Sequence, residues 1–264
     1  MQITLPTPPK IKEQSENRAV FEIEGLYPGY GVTVGNALRR ALYSSLPGAA
    51  ITKVKIKGAP HEFSTLSGVA EDVLEITLNL KQISIKLHGD EPQSATIKVK
   101  GAREVTAADI EAPSQVEVAS KDAHIATLTS KDVKFELELT IEPGLGYVPV
   151  EQQLKGGAEI GAIPLDAIFT PMRKVNFEIE NMRVGDRTDF NRLRLEIVTN
   201  GTISPQEALE YATNLLVEHF KISGQFDKSV EKSAVKKAKP SAKKAVKKTT
   251  KIKPTAKAKK AKKK

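Results

Sequence analysis

The chain has 264 residues, 39% of them hydrophobic and 28% charged, with a net charge of +9 and no cysteine. That length can bury one large core or two modest ones, and the absence of cysteine excludes disulfides and thiolate metal sites. No apolar run reaches the ~20 residues that span a bilayer, and "MQITLPTPPK" lacks the layout of a secretory signal, so the expected setting is the cytoplasm, away from any membrane.

The charge is unevenly placed. Residues 221–264 hold eighteen lysines against Asp227 and Glu231, which leaves the first 220 residues at −7. An acidic body with a basic tail predicts a tail that meets a polyanion and a body that meets something else.

In chain order, "RAVFEIEGL" (18–26) predicts a strand that runs into the Pro/Gly loop "YPGYG". A helix follows, with Thr33 as its expected N-cap. Val34, Ala37, Leu38, Ala41, Leu42 and Ser45 recur at helical spacing and mark one apolar face, and Pro47-Gly48 ends the run. Arg39 and Arg40 flank the far side, about 120° and about 140° from the centre of that face. "AAITKVKIKG" (49–58) predicts a strand with outward lysines, "GVAEDVLEITLNLK" (68–81) a short helix, and "ISIKL" (83–87) and "ATIKVKG" (95–101) two strands. Residues 102–131 carry weaker strand signals. "DVKFELELTIEPG" (132–144) is the clearest strand, with Val133, Phe135, Leu137, Leu139 and Ile141 at period two.

"GLGYVPV" (144–150) predicts a loop, and 156–171 has turn signals without a stable period. "KVNFEIENMRV" (174–184) and "LRLEIVTNG" (193–201) predict a strand pair joined by "GDRTDFN". "SPQEALEYATNLLVEHF" (204–220) predicts a helix that opens with a capping box from Ser204 to Glu207 and has Pro205 at its first position. Its apolar face holds Ala208, Tyr211, Ala212, Leu215, Leu216 and His219. Helices and strands without βαβ alternation predict an α+β fold. Beyond Phe220 the sequence becomes Lys/Ala/Pro/Thr low complexity, for which disorder is expected.

No catalytic constellation emerges. His61, His88, His124 and His219 are scattered without ligand spacing, so no metal or cofactor is expected. "GLYPGYGVTVG" precedes a helix and could in principle cradle a phosphate, but it lacks the Lys-Ser/Thr ending of a nucleotide loop. The two arginines either face water or meet a carboxylate or carbonyl on a partner, a role that suits the planar, weakly hydrated guanidinium.

The motifs "GNALRR", "SSLPG", "HEFST", "EDVLEITLNLK", "GYVPV" and "TDFNRLRLEIVTNGTISPQEAL" stand in the order in which they occur in the bacterial RNA polymerase alpha subunit family. The chain resembles the N-terminal region of that family over roughly residues 15 to 225. The resemblance implies a dimerisation domain built from 1–47 and 171–225, an inserted β-rich domain at 48–170, and a tail at 226–264. It implies a homodimer that serves as an assembly platform for the beta and beta-prime subunits in transcription, with no active site of its own.

By the same resemblance, Arg40, Arg39, His61 and Glu62 are expected at the beta contact. Val34, Leu38, Ala41, Leu42, Tyr211, Leu215 and Leu216 are expected at the dimer contact, and Asp166 and Arg173 at beta-prime. The sequence departs from the family pattern at Val32, where a polar residue is common. Many members carry a linker and a compact DNA-binding helical domain after this region, and here a lysine tail is expected in its place. Lys243, Lys244, Lys247 and Lys248 within it are expected to attract DNA without sequence preference, since no aromatic residue follows Phe226 to stack on bases. A free-standing, histone-like nucleic-acid-binding protein is the competing reading; it explains the tail but not the two amphipathic helices.

Overall fold

A computed structural model describes residues 3–153 and 161–225. The expected disordered tail, with Lys243, Lys244, Lys247 and Lys248, lies outside the described residues. In chain order the elements are β1 (Lys10–Gln14), β2 (Arg18–Leu26), α1 (Tyr30–Ser44), β3 (Pro47–Ile56), α2 (Val73–Gln82), β4 (Ile85–Leu87), β5 (Gln93–Lys100) and β6 (Glu104–Thr106). They continue with β7 (Val116–Val118), β8 (His124–Thr127), β9 (Lys134–Leu145), β10 (Tyr147–Val148), α3 (Val150–Gln153), β11 (Ile163–Pro164) and β12 (Ala167–Ile168). The last three are β13 (Met172–Val184), β14 (Arg187–Thr199) and α4 (Pro205–Ser223). The fold is α+β, as the sequence predicts.

Two main hydrophobic cores organise these elements. The first joins Ala19, Phe21, Ile23 and Leu26 of β2 to Leu38, Ala41 and Leu42 of α1, to Val175, Leu193, Leu195 and Ile197 of the β13–β14 hairpin, and to Ala208, Leu209 and Ala212 of α4. Its sheet is antiparallel in the order β1-β2-β14-β13. Strand residues alternate between faces, so Arg18, Glu22 and Glu24 point away from the helices. There they meet Lys10, Lys12, Arg192 and Glu196 in a lattice of ion pairs, among them Lys10–Glu24 at 2.8 Å, Arg192–Glu24 at 3.0 Å and Arg18–Glu196 at 2.8 Å. The hydrogen bond from Lys10 holds the Glu24 carboxyl below the usual carboxylate range, and those from Lys174 and Arg18 do the same for Glu196.

The second core is drawn from Ile51 through Leu165. Its sheet runs β5-β9-β3-β4-β7, with β11 also paired to β3. Phe135, Leu137, Leu139 and Ile141 of β9 all point into it, as their period predicts, and α2 contributes Val73, Ile76 and Leu80. Core membership changes over between Leu46 and Ile51 and again between Leu165 and Met172.

Several boundaries differ from expectation. α1 begins at Tyr30 and Thr33 lies inside it; the N-cap is Gly29, at φ +86°, with no side-chain cap of its own. The orphan donors of the first turn are met from a distant strand instead. Asn191 Oδ1 of β14 accepts the N–H of Gly29 at 3.0 Å and that of Gly31 at 3.4 Å. α2 starts at Val73, where the Asp72 side chain accepts the Glu75 N–H at 2.7 Å. "TDFN" belongs to β14, which leaves only Gly185-Asp186 as the hairpin turn. β9 extends through Leu145, and β10 pairs with β12 where a loop is expected.

α1 also sits closer to its sheet than its apolar stripe suggests. A Cβ on Gly35 would come within 2.7 Å of the Phe177 ring, and one on Gly31 within 3.0 Å of Asn191 Cβ. These two glycines, one helical turn apart, let the helix backbone rest on the β13–β14 hairpin. The expected effect of Asn191→Ala follows: the buried Gly31 N–H bond and the part-buried Gly29 N–H bond lose their acceptor, and unfolding in denaturant should show a loss of about 1–2 kcal/mol. A variant as stable as the parent would show that the first turn of α1 is capped by other means.

Candidate subunit-contact surfaces

α1 presents its two arginines differently. Arg39 is half-buried, donates to Asn36 Oδ1 at 2.8 Å, and lies over the Phe177 ring at 5.1 Å. It therefore helps fasten α1 to the hairpin. Arg40 is exposed, and its guanidinium has no hydrogen bond or ion pair among the described residues. Tyr43 points toward the sheet margin, where its hydroxyl oxygen accepts the Val175 N–H at 2.8 Å. In the Gly-rich loop ahead of the helix, the Gly29 and Gly31 donors are taken by Asn191 and so are not open to a phosphate.

Leu38, Ala41 and Leu42, expected to face a twin, are buried in the chain's own first core, Leu42 with no exposure at all. The stripe is spent on the sheet because the glycine contacts bring the helix down onto it. Val34, half-buried at the edge of that core, is the part of the expected α1 set with surface to spare.

α4 divides along its length. Ala208, Leu209 and Ala212 in its first half are buried. Tyr211 is exposed and Leu215 and Leu216 are half-buried, while Val217, Phe220 and Ile222 are exposed, Phe220 by 66% and Ile222 by 69%. The second half is thus an apolar surface that only partly rests on the chain's own core. The capping box at its start is formed as predicted: Ser204 Oγ accepts the Glu207 N–H at 3.2 Å, and Glu207 Oε2 accepts the Ser204 N–H at 3.1 Å.

α2 is the hub of the remaining candidates. At its N-terminal end the Val73 N–H donates to the Ser64 carbonyl at 3.2 Å, which ties the helix to the "HEFST" loop. His61 is exposed, with Nδ1 3.1 Å from Ser64 Oγ, and Glu62 is half-buried. Phe63 between them is 75% exposed. One helical turn separates Leu74 from Leu78, and both are exposed on the side of α2 away from Ile76 and Leu80. Residues 73–80 read VLEITLNL, so this helix is apolar on two sides while one core takes only one of them. That doubling is the signal by which Leu74 and Leu78 could have been singled out individually; it does not extend to Phe63, which precedes the helix.

At the C-terminal end of α2, Lys81 Nζ lies 2.8 Å from Asp166 Oδ2. Asp166 Oδ1 accepts the Val150 N–H at 3.1 Å. The Lys81 hydrogen bond, then that N–H, hold the Asp166 carboxyl below the usual range. Arg173 donates to the Gln82 carbonyl at 3.1 Å and to Ser84 Oγ at 3.2 Å. Asp166 and Arg173 therefore converge on the last turn of α2 and join β12 and β13 to it. Beside them, Tyr147 and Ile168 are cross-strand partners and both are exposed.

Among the described residues no group of three or more His, Cys, Asp or Glu side chains is disposed to hold a metal ion, and no helix is long and apolar enough to cross a membrane.

Comparison with known proteins gives the chain a family. Residues 54–170, the stretch that supplies nearly all of the second core, match the family model described as the RNA polymerase Rpb3/RpoA insert domain. The chain is 48% identical over 222 residues to the DNA-directed RNA polymerase subunit alpha of Roseiflexus castenholzii, covering 83% of this chain and 68% of that protein. It is 49% identical over 216 residues to the subunit of the same name from Carboxydothermus hydrogenoformans, covering 81% of this chain and 69% of that one. Against the subunit from Alkaliphilus oremlandii it is 50% identical over 202 residues, 76% of this chain and 63% of that protein. The chain thus spans about two thirds of the length of these curated relatives, and it belongs to the family of DNA-directed RNA polymerase alpha subunits.

Proposed function

We propose that this chain is a non-catalytic assembly subunit of DNA-directed RNA polymerase, two copies of which form the platform for the beta and beta-prime subunits. The observation that carries the reading is the pairing of family membership with apolar and cationic surface that the described residues leave uncovered. That surface comprises the second half of α4, the outer side of α2 with Phe63, and the free guanidinium of Arg40. A cytoplasmic, nucleoid-associated location goes with that role.

In this proposal the first core, with residues 1–47 and 171–225, is the dimerisation domain, and 48–170 is an inserted domain that reaches the large subunits. The twin contact is centred on α4, through Tyr211, Leu215, Leu216, Val217 and Phe220, with Val34 of α1 at its margin. A two-fold interface covers the same stripe on both copies at once. Each fully covered Leu, Val or Phe contributes ~1.5–3 kcal/mol, and obligate dimers bury more than ~2,000 Å² in total. Replacing Leu215 and Phe220 together by Asp should convert the dimer to a folded monomer, as read by light scattering; a dimer that survives would remove α4 from the interface.

Arg40, with His61 and Glu62 as further candidates, meets the beta subunit, while Asp166 and Arg173 lie toward beta-prime. Arg40→Ala should leave the dimer intact and weaken recruitment of beta by ~2–5 kcal/mol, the usual cost of truncating a desolvated charge at an interface. Arg39→Ala should instead loosen α1 on the hairpin. Normal assembly of the Arg40 variant would return that side chain to a solvated face.

The lysine tail adds a sequence-independent attraction to DNA. Each neutralised phosphate releases a counterion, so affinity falls steeply with salt. A chain stopped at Asp227 should lose DNA binding and its salt slope in a titration, and equal binding by the two chains would discard this role.

A further inference from the structure

His124, at the start of β8, is used by none of the contacts proposed above, yet both of its ring nitrogens are engaged. Nδ1 lies 2.8 Å from Glu104 Oε1 on β6, and Nε2 lies 2.9 Å from Glu71 Oε1 in the segment entering α2. Ionised carboxylates only accept hydrogen bonds, and a neutral imidazole has a single N–H to give. Both contacts are therefore satisfied only by the imidazolium.

The Glu71 arm is the better sheltered. Its side chain is 11% exposed, against 63% for Glu104, and its second oxygen accepts the Thr127 N–H at 2.6 Å. The Ala70 N–H donates to the Thr127 carbonyl at 3.0 Å, and Val69 is bridged to Leu128. Residues 69–71 are thus laid along β8, and the next residue, Asp72, caps α2. The other charged groups around the ring are occupied elsewhere or exposed. Asp109 is held by Arg103 and by the Thr106 N–H, Asp72 by the Glu75 N–H, and Lys121 and Asp122 of the preceding loop are exposed and make no bond to the ring. From α2 itself, Asn79 reaches β8 only at the Ile125 carbonyl.

We infer that His124 is a positioning residue: its charged form clips the entry of α2 to the β6–β8 ribbon and so presents the Phe63–Leu74–Leu78 surface to its partner, and the loss of that charge loosens the presentation. The inference rests on the proposed role of that surface in docking a large subunit. Burial opposes the imidazolium, but the bonds to Glu71 and Glu104 outweigh it and hold the ring above the ordinary imidazole value. Burial likewise pushes the Glu71 carboxyl up, and the Thr127 and His124 bonds outweigh it, so it stays ionised. For a raised histidine, the contribution is complete below the unfolded value of ~6.5 and is lost as pH rises through the higher folded value. Docking should therefore weaken on the alkaline side.

The test uses the full chain and isolated beta subunit. Affinity is measured between pH 6 and 9, with the His124 ring followed by NMR in the same range. The expected result is a ring midpoint above ~6.5 and an affinity that falls about fivefold through that midpoint, the lower end of ordinary coupling between sites. Glu104→Gln should move both the midpoint and the affinity transition to lower pH, and His124→Gln should bind at every pH like the alkaline wild type. His61 lies in the docking loop itself, so the comparison between variants decides, not the wild-type slope alone. A ring midpoint at or below the ordinary value overturns the clip. A shifted midpoint with affinity that ignores it, or a His124→Gln chain that keeps the transition, overturns the coupling. Failure to bind beta at any pH, with the ring titration intact, overturns the docking reading and leaves the coupling nothing to act on.

Discussion

The seating of α1 on the β13–β14 hairpin is the constraint on which the first core depends. Gly31 and Gly35 remove the side chains that would hold the helix away, and Asn191 takes the backbone donors that its first turn exposes. With the helix that close, Leu38, Ala41 and Leu42 reach Leu193 and Leu195, and Arg39 can lie over Phe177. Arg40, the next residue along, is turned outward by the same geometry. One close approach thus decides which arginine is fastened to the hairpin and which stays exposed.

The opposite face of that sheet is organised by charge. Glu22 is nearly buried, with Lys12 at 3.1 Å and Arg192 near it, and Arg192 spans three strands to reach Glu24 and Glu180. Exposed pairs of this kind contribute little one at a time. Their shared register fixes which strand lies beside which, and like charges brought opposite one another by a slipped pairing would repel. The helical face supplies the burial and the charged face constrains the alignment.

Most elements were legible from local pattern. β2 and the period of β9 follow from alternation, and the start of α4 from its capping box. What escaped shares a physical cause. The start of α1 depends on Asn191, some 160 residues away, and no local signal stands at Thr33 to contradict a cap there. The "TDFN" segment looks like a turn by composition, but it is held in β14 by pairing with β2 and β13. The apolar stripe of α1 was visible, whereas its destination was not, because periodicity does not say which surface meets a face. The same silence applied to α2, where two apolar sides were present and only packing showed which one the core had taken.

The division of core membership along the chain has a consequence for how the molecule comes to be made. The second core draws on one unbroken stretch, Ile51 to Leu165, whereas the first needs β2 and α1 from the beginning and β13, β14 and α4 from near the end. During synthesis the early strand and helix have no partner until more than a hundred further residues have emerged. The intervening stretch can already close on itself, since domains fold as units as they appear. The surface proposed for the twin, on α4, is the last of the described parts to leave the ribosome. In the proposed dimer, the twin contact on α4 is therefore completed only after the stretch proposed to reach the large subunits has been synthesised.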